Sequence, residues 1–266
     1  MMNKYFSLLQ ERKIEEAEQF RKESVPQKLI KFFSFSNSGD LNRSKLQTLE
    51  KEEIWISSID TLNDPYEFSC MYVDREKLHE AGYPDSLISG FENLVGQSIK
   101  TWGVASLSSN SFDCLPMWAY YANNHCGYCV EYDVIRPDNI HEISYEPARI
   151  PLATTLANFY FAFKNMVADG KEDDPEVDFY ATIIMQQLFM KHISWAHEKE
   201  YRVVFNLKHK GGQSVPLSAV GLKTSRIVAG INCTQKHILA LQEISTKIGC
   251  SKVDIAQISA TDYVLL

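Results

Sequence analysis

The sequence predicts an α+β fold of mixed, largely antiparallel sheets with covering helices, and three observations carry that prediction. Short runs rich in β-branched and aromatic residues, LIKFFSF, EEIWISS, GYCVEYDV and YRVVFNL, have the spacing of strands and are bounded by turn-forming residues. Helical stretches are interspersed among them without the strict strand-helix alternation of a doubly wound parallel sheet. Apolar residues make up 45% of the 266 and aromatics 12%, enough for a core that offsets the entropy of ordering the chain.

Residues 3–23 read as one amphipathic helix, because Tyr5, Leu8, Leu9, Ile14, Ala17 and Phe20 fall near helical spacing with charges between them, and Pro26 ends it. This divides the chain into an N-terminal amphipathic helix, 1–25, and a single α+β domain, 26–266. LIKFFSF is the first strand; residues 36–40 form a turn cluster, 41–50 a helix, and EEIWISS the second strand. Asn63-Asp64-Pro65 then breaks the chain, since the residue before proline is pushed out of helical conformation. Residues 74–101 read as helix with a break near Gly82 and Pro84. GVASLSS is a third strand, and PMWAYYANN a short helix with Pro116 suited to its first turn. GYCVEYDV and HEISYE are further strands. TTLANFYFAFKNMVADG and VDFYATIIMQQLFMKHIS read as covering helices on either side of the acidic loop KEDDPE. YRVVFNL, TSRIVAGI, a helix over 235–249 and a strand near VDIAQIS complete the order.

Several function classes are disfavoured. A net charge of −7 argues against a general polyanion-binding surface, leaving room for nucleic acid only at a local basic groove. No apolar run reaches the ~20 residues needed to span a bilayer, and the N-terminus lacks a signal sequence, so the expected location is cytoplasmic, with no membrane partner. Six scattered cysteines are expected to be reduced thiols. GxGxxG, the Walker loop, GxSxG and HExxH are all absent. Cys126-Gly-Tyr-Cys129 beside His125 has no second CxxC. His192 and His197 are five apart, but the two thiols of an extended Cys126–Cys129 face opposite sides, so no metal is expected.

The stretch WAHEKEYRVVF sets Glu198, Glu200 and Arg202 at alternate positions before an apolar run. In an extended chain these share one face with Val204, while Tyr201, Val203, Phe205 and Leu207 share the other, giving one core face and one charged face. The glutamates would lie roughly 7 Å apart, each raising the other's cost of ionising unless Arg202 or a ligand offsets it. Such a face is either a solvated edge of weak ion pairs or a site. In TLNDPYEF, Asn63 or Asp64 can simply cap the turn, or the turn can close Asp64, Tyr66 and Glu67 over a pocket. Trp118, Tyr120 and Tyr121 on one short helix are either core or a stacking wall for a planar group such as nicotinamide or adenine.

Taken together, LIKFFSF, IWISSIDTLNDPYEF, MWAYYANNHCGYCVEYD and WAHEKEYRVVF resemble the bacterial and phage-associated family catalogued as domain of unknown function 2971, over roughly residues 28–266. That family confers no activity by name. A second resemblance is to the ADP-ribosyltransferase fold, through Lys31 on the first strand, Ser57-Ser58 on the second and Glu198-x-Glu200 late in the chain. It departs from that pattern at Lys31, where arginine or histidine is usual, and in having only part of a Ser-Thr-Ser element. The resemblance implies NAD as substrate, with Glu200 and Glu198 catalytic: a glutamate holding the nicotinamide-ribose hydroxyl stabilises the charge that builds as the glycosidic bond breaks. Substrate contacts would come from Lys31, Ser57, Ser58, Asn63, Asp64, Tyr66, Glu67, Trp118, Tyr121 and Arg202. The enzyme would transfer ADP-ribose to a macromolecular target or to water, as a toxin or phage-defence effector. The alternative is a non-catalytic module that senses a nucleotide or nucleic-acid end and signals to a partner or cognate regulator.

Overall fold

The computed structural model describes residues 2–62, 64, 66–208, 211–250 and 252–260. Apolar spacing and turn residues set the elements in chain order: α1 (Met2–Gln10), α2 (Ile14–Ser24), β1 (Lys28–Phe33), α3 (Gly39–Glu50), β2 (Glu53–Ser58), β3 (Met71–Tyr72), α4 (Arg75–Glu80), α5 (Asp85–Ser98), β4 (Trp102–Ser108) and α6 (Leu115–Tyr121). There follow β5 (Tyr128–Val134), β6 (Ile140–Glu142), β7 (Ser144–Glu146), β8 (Ile150–Pro151), α7 (Ala153–Ala168), α8 (Pro175–Met185), β9 (Met190–His192), β10 (Glu200–Asn206), β11 (Gln213–Pro216), β12 (Leu222–Ala229), α9 (Gln235–Lys247) and β13 (Asp254–Ile255). Caps fall where the residue types favour them: the Ser38, Asp74, Asp174 and Thr234 side chains accept backbone N–H groups at the starts of α3, α4, α8 and α9. No helix among the described residues is long and apolar enough to cross a membrane.

The main sheet, nine-stranded among the described residues, runs β11-β2-β4-β1-β5-β12-β13, with β10 on β4 and β6 on β10. All these pairings are antiparallel except β12 with β13, so the expected α+β class and largely antiparallel character hold. β4 is where the sheet divides. On one side it pairs along its whole length with β10, from Glu200 opposite Ser108 to Asn206 opposite Trp102. On the other it meets β2 only at Gly103 and Val104, and β1 only at Ser108. Between those contacts β1 and β2 diverge, and α3, which joins them in sequence, lines a cavity with both strands. The largest apolar cluster fills one side of the sheet, gathering Leu29, Ile54, Ile56, Leu107, Tyr128, Val130, Val203 and Ile227 with Leu241 and Ile244 of α9.

Three expectations are corrected, and one of two open alternatives is ruled out. The N-terminal segment is two helices, because Arg12 adopts φ 62 between them. Both pack on the body: Tyr5, Leu9 and Ala17 meet Phe179 of α8, and buried Arg21 donates to the carbonyls of Pro137, Asp138 and Ile140. HEISYE divides into β6, which joins β10, and β7, which pairs in parallel with β9. The stretch read as one helix through residue 194 ends at Met185 and becomes a 3-10 turn and then β9. Finally, β10 has no solvated face. Its charged side is covered as fully as its apolar side, with Glu200 and Arg202 only 2% and 1% exposed.

Candidate functional site: a buried charge network at the divided sheet

The 3-10 turn Ile193–Glu198 ends at Lys199, whose φ of 44 is left-handed, and β10 starts at the next residue. This kink, in place of the continuous strand expected, aims both glutamates into the opening beside β4. Hydrogen bonds from the end of β4 pin it: Ser109 N–H donates to the Lys199 carbonyl (3.0 Å), and Ser108 Oγ (2.5 Å) and Asn110 Nδ2 (3.1 Å) donate to the Glu198 carbonyl. The Glu200 N–H donates to Tyr145 Oη at 2.8 Å.

Two cations hold three carboxylates together below the surface. Lys191 Nζ lies 2.7 Å from Glu198, 3.1 Å from Glu200 and 3.7 Å from Glu67. Arg202 Nε donates to Glu200 Oε1 at 2.8 Å, its Nη1 to the Leu188 carbonyl at 2.7 Å, and its Nη2 to Glu67 Oε1. Tyr121 Oη donates to Glu198 Oε1. Aromatic faces complete the packing, Trp195 beneath the Lys191 ammonium and Phe68 beneath the Arg202 guanidinium.

Burial and charge compete differently at each group. Burial raises the Glu200 carboxyl, but Arg202 and Lys191 together outweigh it and hold this group down at about 2. At Glu67 burial wins over the same two cations and the carboxyl is raised. Burial works against the charged forms of Lys191 and Arg202, yet the surrounding carboxylates raise both. Lys31 has no such compensation; burial pushes it down to about 8, opposed only by Glu200.

These groups border a cavity of about 200 Å³ whose wall includes Lys31, Ser57, Glu67, Tyr121, Lys191, Glu198 and Glu200. Lys31 Nζ crosses the opening to donate to the Ser106 carbonyl on β4 at 2.8 Å. Residues from β1, β2, the turn after β2, α6, β9 and β10 thus converge where β1 and β2 part. Among the described residues no cluster of three or more His, Cys, Asp or Glu side chains is arranged to hold a metal ion.

Of the residues singled out from sequence, Glu198, Glu200, Lys31, Ser57, Glu67 and Tyr121 line this cavity. Arg202 lies behind it, bonded to two of its glutamates. Ser58 is buried and is not one of the lining residues. Asp64 and Tyr66 border a different cavity with Arg149, His192 and Trp195, and Asp64 accepts the Tyr66 N–H at 2.9 Å as a turn cap. Asn63 lies outside the described residues. Trp118 is no stacking wall. It is fully buried against Phe32 and His125, with its indole N–H on the Phe112 carbonyl at 2.6 Å. Sequence reasoning missed Lys191, Tyr145, Ser106 and Ser108. A lysine inside the apolar run LFMKHIS was a usable signal for the first, since buried lysines are almost always paired.

A divided, mostly antiparallel sheet with a charged cavity at the division defines an α+β protein with an internal polar site. The family model described as protein of unknown function (DUF2971) matches residues 117–203, from α6 through the first half of β10. The match supports the resemblance to that family read from the sequence blocks, over this segment of the chain. The matched segment supplies Tyr121, Tyr145, Lys191, Glu198, Glu200 and Arg202, whereas Lys31, Ser57 and Glu67 lie outside it. No curated protein and no solved structure matches the chain.

Proposed function

We propose that the cavity binds the ribosyl end of NAD and that the chain is an NAD-consuming, ADP-ribosyltransferase-like enzyme acting on a macromolecular target or on water. The observation that carries this reading is the meeting of Glu198 and Glu200 with Lys31 and Ser57 on one cavity wall. A buried ion network is a poor source of stability, because the desolvation of its charges offsets most of their attraction. Retaining Lys191, Arg202 and three carboxylates in one cluster therefore favours a chemical role. Glu200, held ionised by two cations, is suited to a positive charge developing on a sugar. The C1–N glycosidic bond would break with its electron pair leaving on the nicotinamide nitrogen. The ribosyl cation, stabilised by Glu200, would be captured by a hydroxyl or water, whose proton is lost to solvent.

The second reading, a nucleotide-sensing module without turnover, is favoured by one feature. Both oxygens of Glu198 and both of Glu200 already have donors within the protein. Incubation with NAD followed by detection of released nicotinamide separates the two. Turnover that falls at least ~100-fold in Glu200→Gln, with an unchanged circular-dichroism spectrum, supports the enzyme. Ser57→Ala, which lines the same cavity without joining the ion network, provides a variant whose folding is not at issue. Saturable NAD binding with no nicotinamide release from wild type overturns the enzyme in favour of the module.

A further inference from the structure

A second cavity, of about 540 Å³, lies under α3 and shares Lys31 and Ser57 with the first. Its volume is within the ~300–1,000 Å³ typical of small-molecule sites, whereas the first is below that range. The period of two builds its walls. In β2, Ile54 and Ile56 are buried in the core, while Trp55 and Ser57 alternate with them; in β1, Lys31 and Phe33 share a side. Lys45 and Thr48 of α3, one helical turn apart, cover the opening.

Two features indicate what this cavity takes. Trp55 is 48% exposed, a large apolar ring left half uncovered on the cavity wall. Its indole lies over Gly212, where a Cβ would come within 2.9 Å of the ring and 2.5 Å of the Ile56 carbonyl, so the glycine leaves room for the ring. The second feature is positive charge outside any direct ion pair. Lys31 Nζ donates to the Ser106 carbonyl, and Lys45 Nζ to the Ser34 carbonyl (2.7 Å) and hydroxyl (2.9 Å). Among the described residues neither ammonium has a carboxylate within ion-pair distance, unlike Lys191. Glu53 is the acidic residue on this wall. A flat apolar surface beside two ammonium groups that have no direct ion pair among the described residues suits a planar ring carrying an anionic chain.

We infer that the two cavities form one bipartite site for an adenosine diphosphate ester, with the adenine against Trp55 and Phe33, the diphosphate passing Lys45 and Lys31, and the esterified end entering the carboxylate cavity. The inference rests on the proposed function only for the chemistry at that esterified end. Calorimetric titration of the full chain with ADP and with adenosine tests it. ADP binds, adenosine binds at least tenfold more weakly, and Trp55→Ala and Lys45→Met each weaken ADP at least tenfold. Trp55 is half exposed, and an unchanged melting temperature confirms that its variant folds. Failure of wild type to bind ADP, or ADP affinity unmoved by Trp55→Ala, overturns the inference. ADP binding without nicotinamide release keeps the bipartite site and sinks the enzyme. Nicotinamide release with a KM for NAD unchanged in Trp55→Ala does the reverse.

Discussion

Lys191→Met tests whether the buried network is as tightly balanced as its geometry indicates. The ammonium contacts Glu198, Glu200 and Glu67 at 2.7, 3.1 and 3.7 Å, so its removal leaves Arg202 as the cation in contact with this group of carboxylates. Methionine retains most of the aliphatic volume beside Trp195, so the loss is mainly electrostatic. Breaking a buried pair by removing one partner costs about 3–5 kcal/mol, a large part of the ~5–15 kcal/mol by which domains are stable. With an unfolding entropy of ~2.1 cal/mol/K per residue over 266 residues, the melting temperature falls by about 5–10 °C. The pH dependence identifies the cause. Glu67 is already raised by burial against the pull of Lys191, so without that ammonium its folded-state pKa rises further above the unfolded one, which destabilises the protein above that value and ceases to do so as the pH falls below it. The deficit relative to wild type should therefore shrink between pH 7 and pH 5. Urea denaturation at both pH values measures it. A loss below about 1 kcal/mol at pH 7, or a deficit that grows on acidification, refutes the account.

Other expectations follow from the same geometry. Glu200, depressed from 4.5 to about 2, contributes stability that is fully present above pH ~5 and is lost as the pH falls through 4.5 towards 2, about 3 kcal/mol in order of magnitude. The raised Glu67 acts in the opposite sense, and in Glu200→Gln the acid loss seen by urea midpoint should be visibly smaller than in wild type. Lys31, depressed to about 8, destabilises the fold below that pH and is relieved as the pH rises towards 10.5. Lys31→Met should therefore hold or gain about 1–2 kcal/mol at pH 7, and a clear fall in melting temperature would contradict this. Gly127→Ala places a Cβ 2.0 Å from the Phe33 carbonyl oxygen, a backbone atom that cannot step aside, and should cost about 3 kcal/mol by chemical denaturation.

How much was legible depended on whether a feature is local. The strand YRVVFNL and the shared face of Glu200 and Arg202 were readable because period-two alternation fixes which side chains share a face, whereas Lys31 and Ser57 were singled out only through the resemblance to the ADP-ribosyltransferase pattern. Lys191 was hidden because the apolar run before it suits a buried helix or a buried strand equally, and length alone favoured the wrong one. Trp118 was ambiguous for a similar reason, since an aromatic on a short helix packs equally well inward or beside a ligand. Its indole N–H found the Phe112 carbonyl, and the core took it.

Chain order alone was enough to read the class of fold, the succession of nearly all its elements, and a resemblance to the family whose model matches residues 117–203. Tertiary structure decided that β1 and β2 part beside β4, that Lys199 turns both glutamates into the gap, and that Glu67 arrives there from a distant turn. Local patterning reflects which neighbours along the chain share a face. A charge, in contrast, is stabilised by whatever approaches within a few ångströms, and for Glu67 and Arg202 that partner lies 135 residues away.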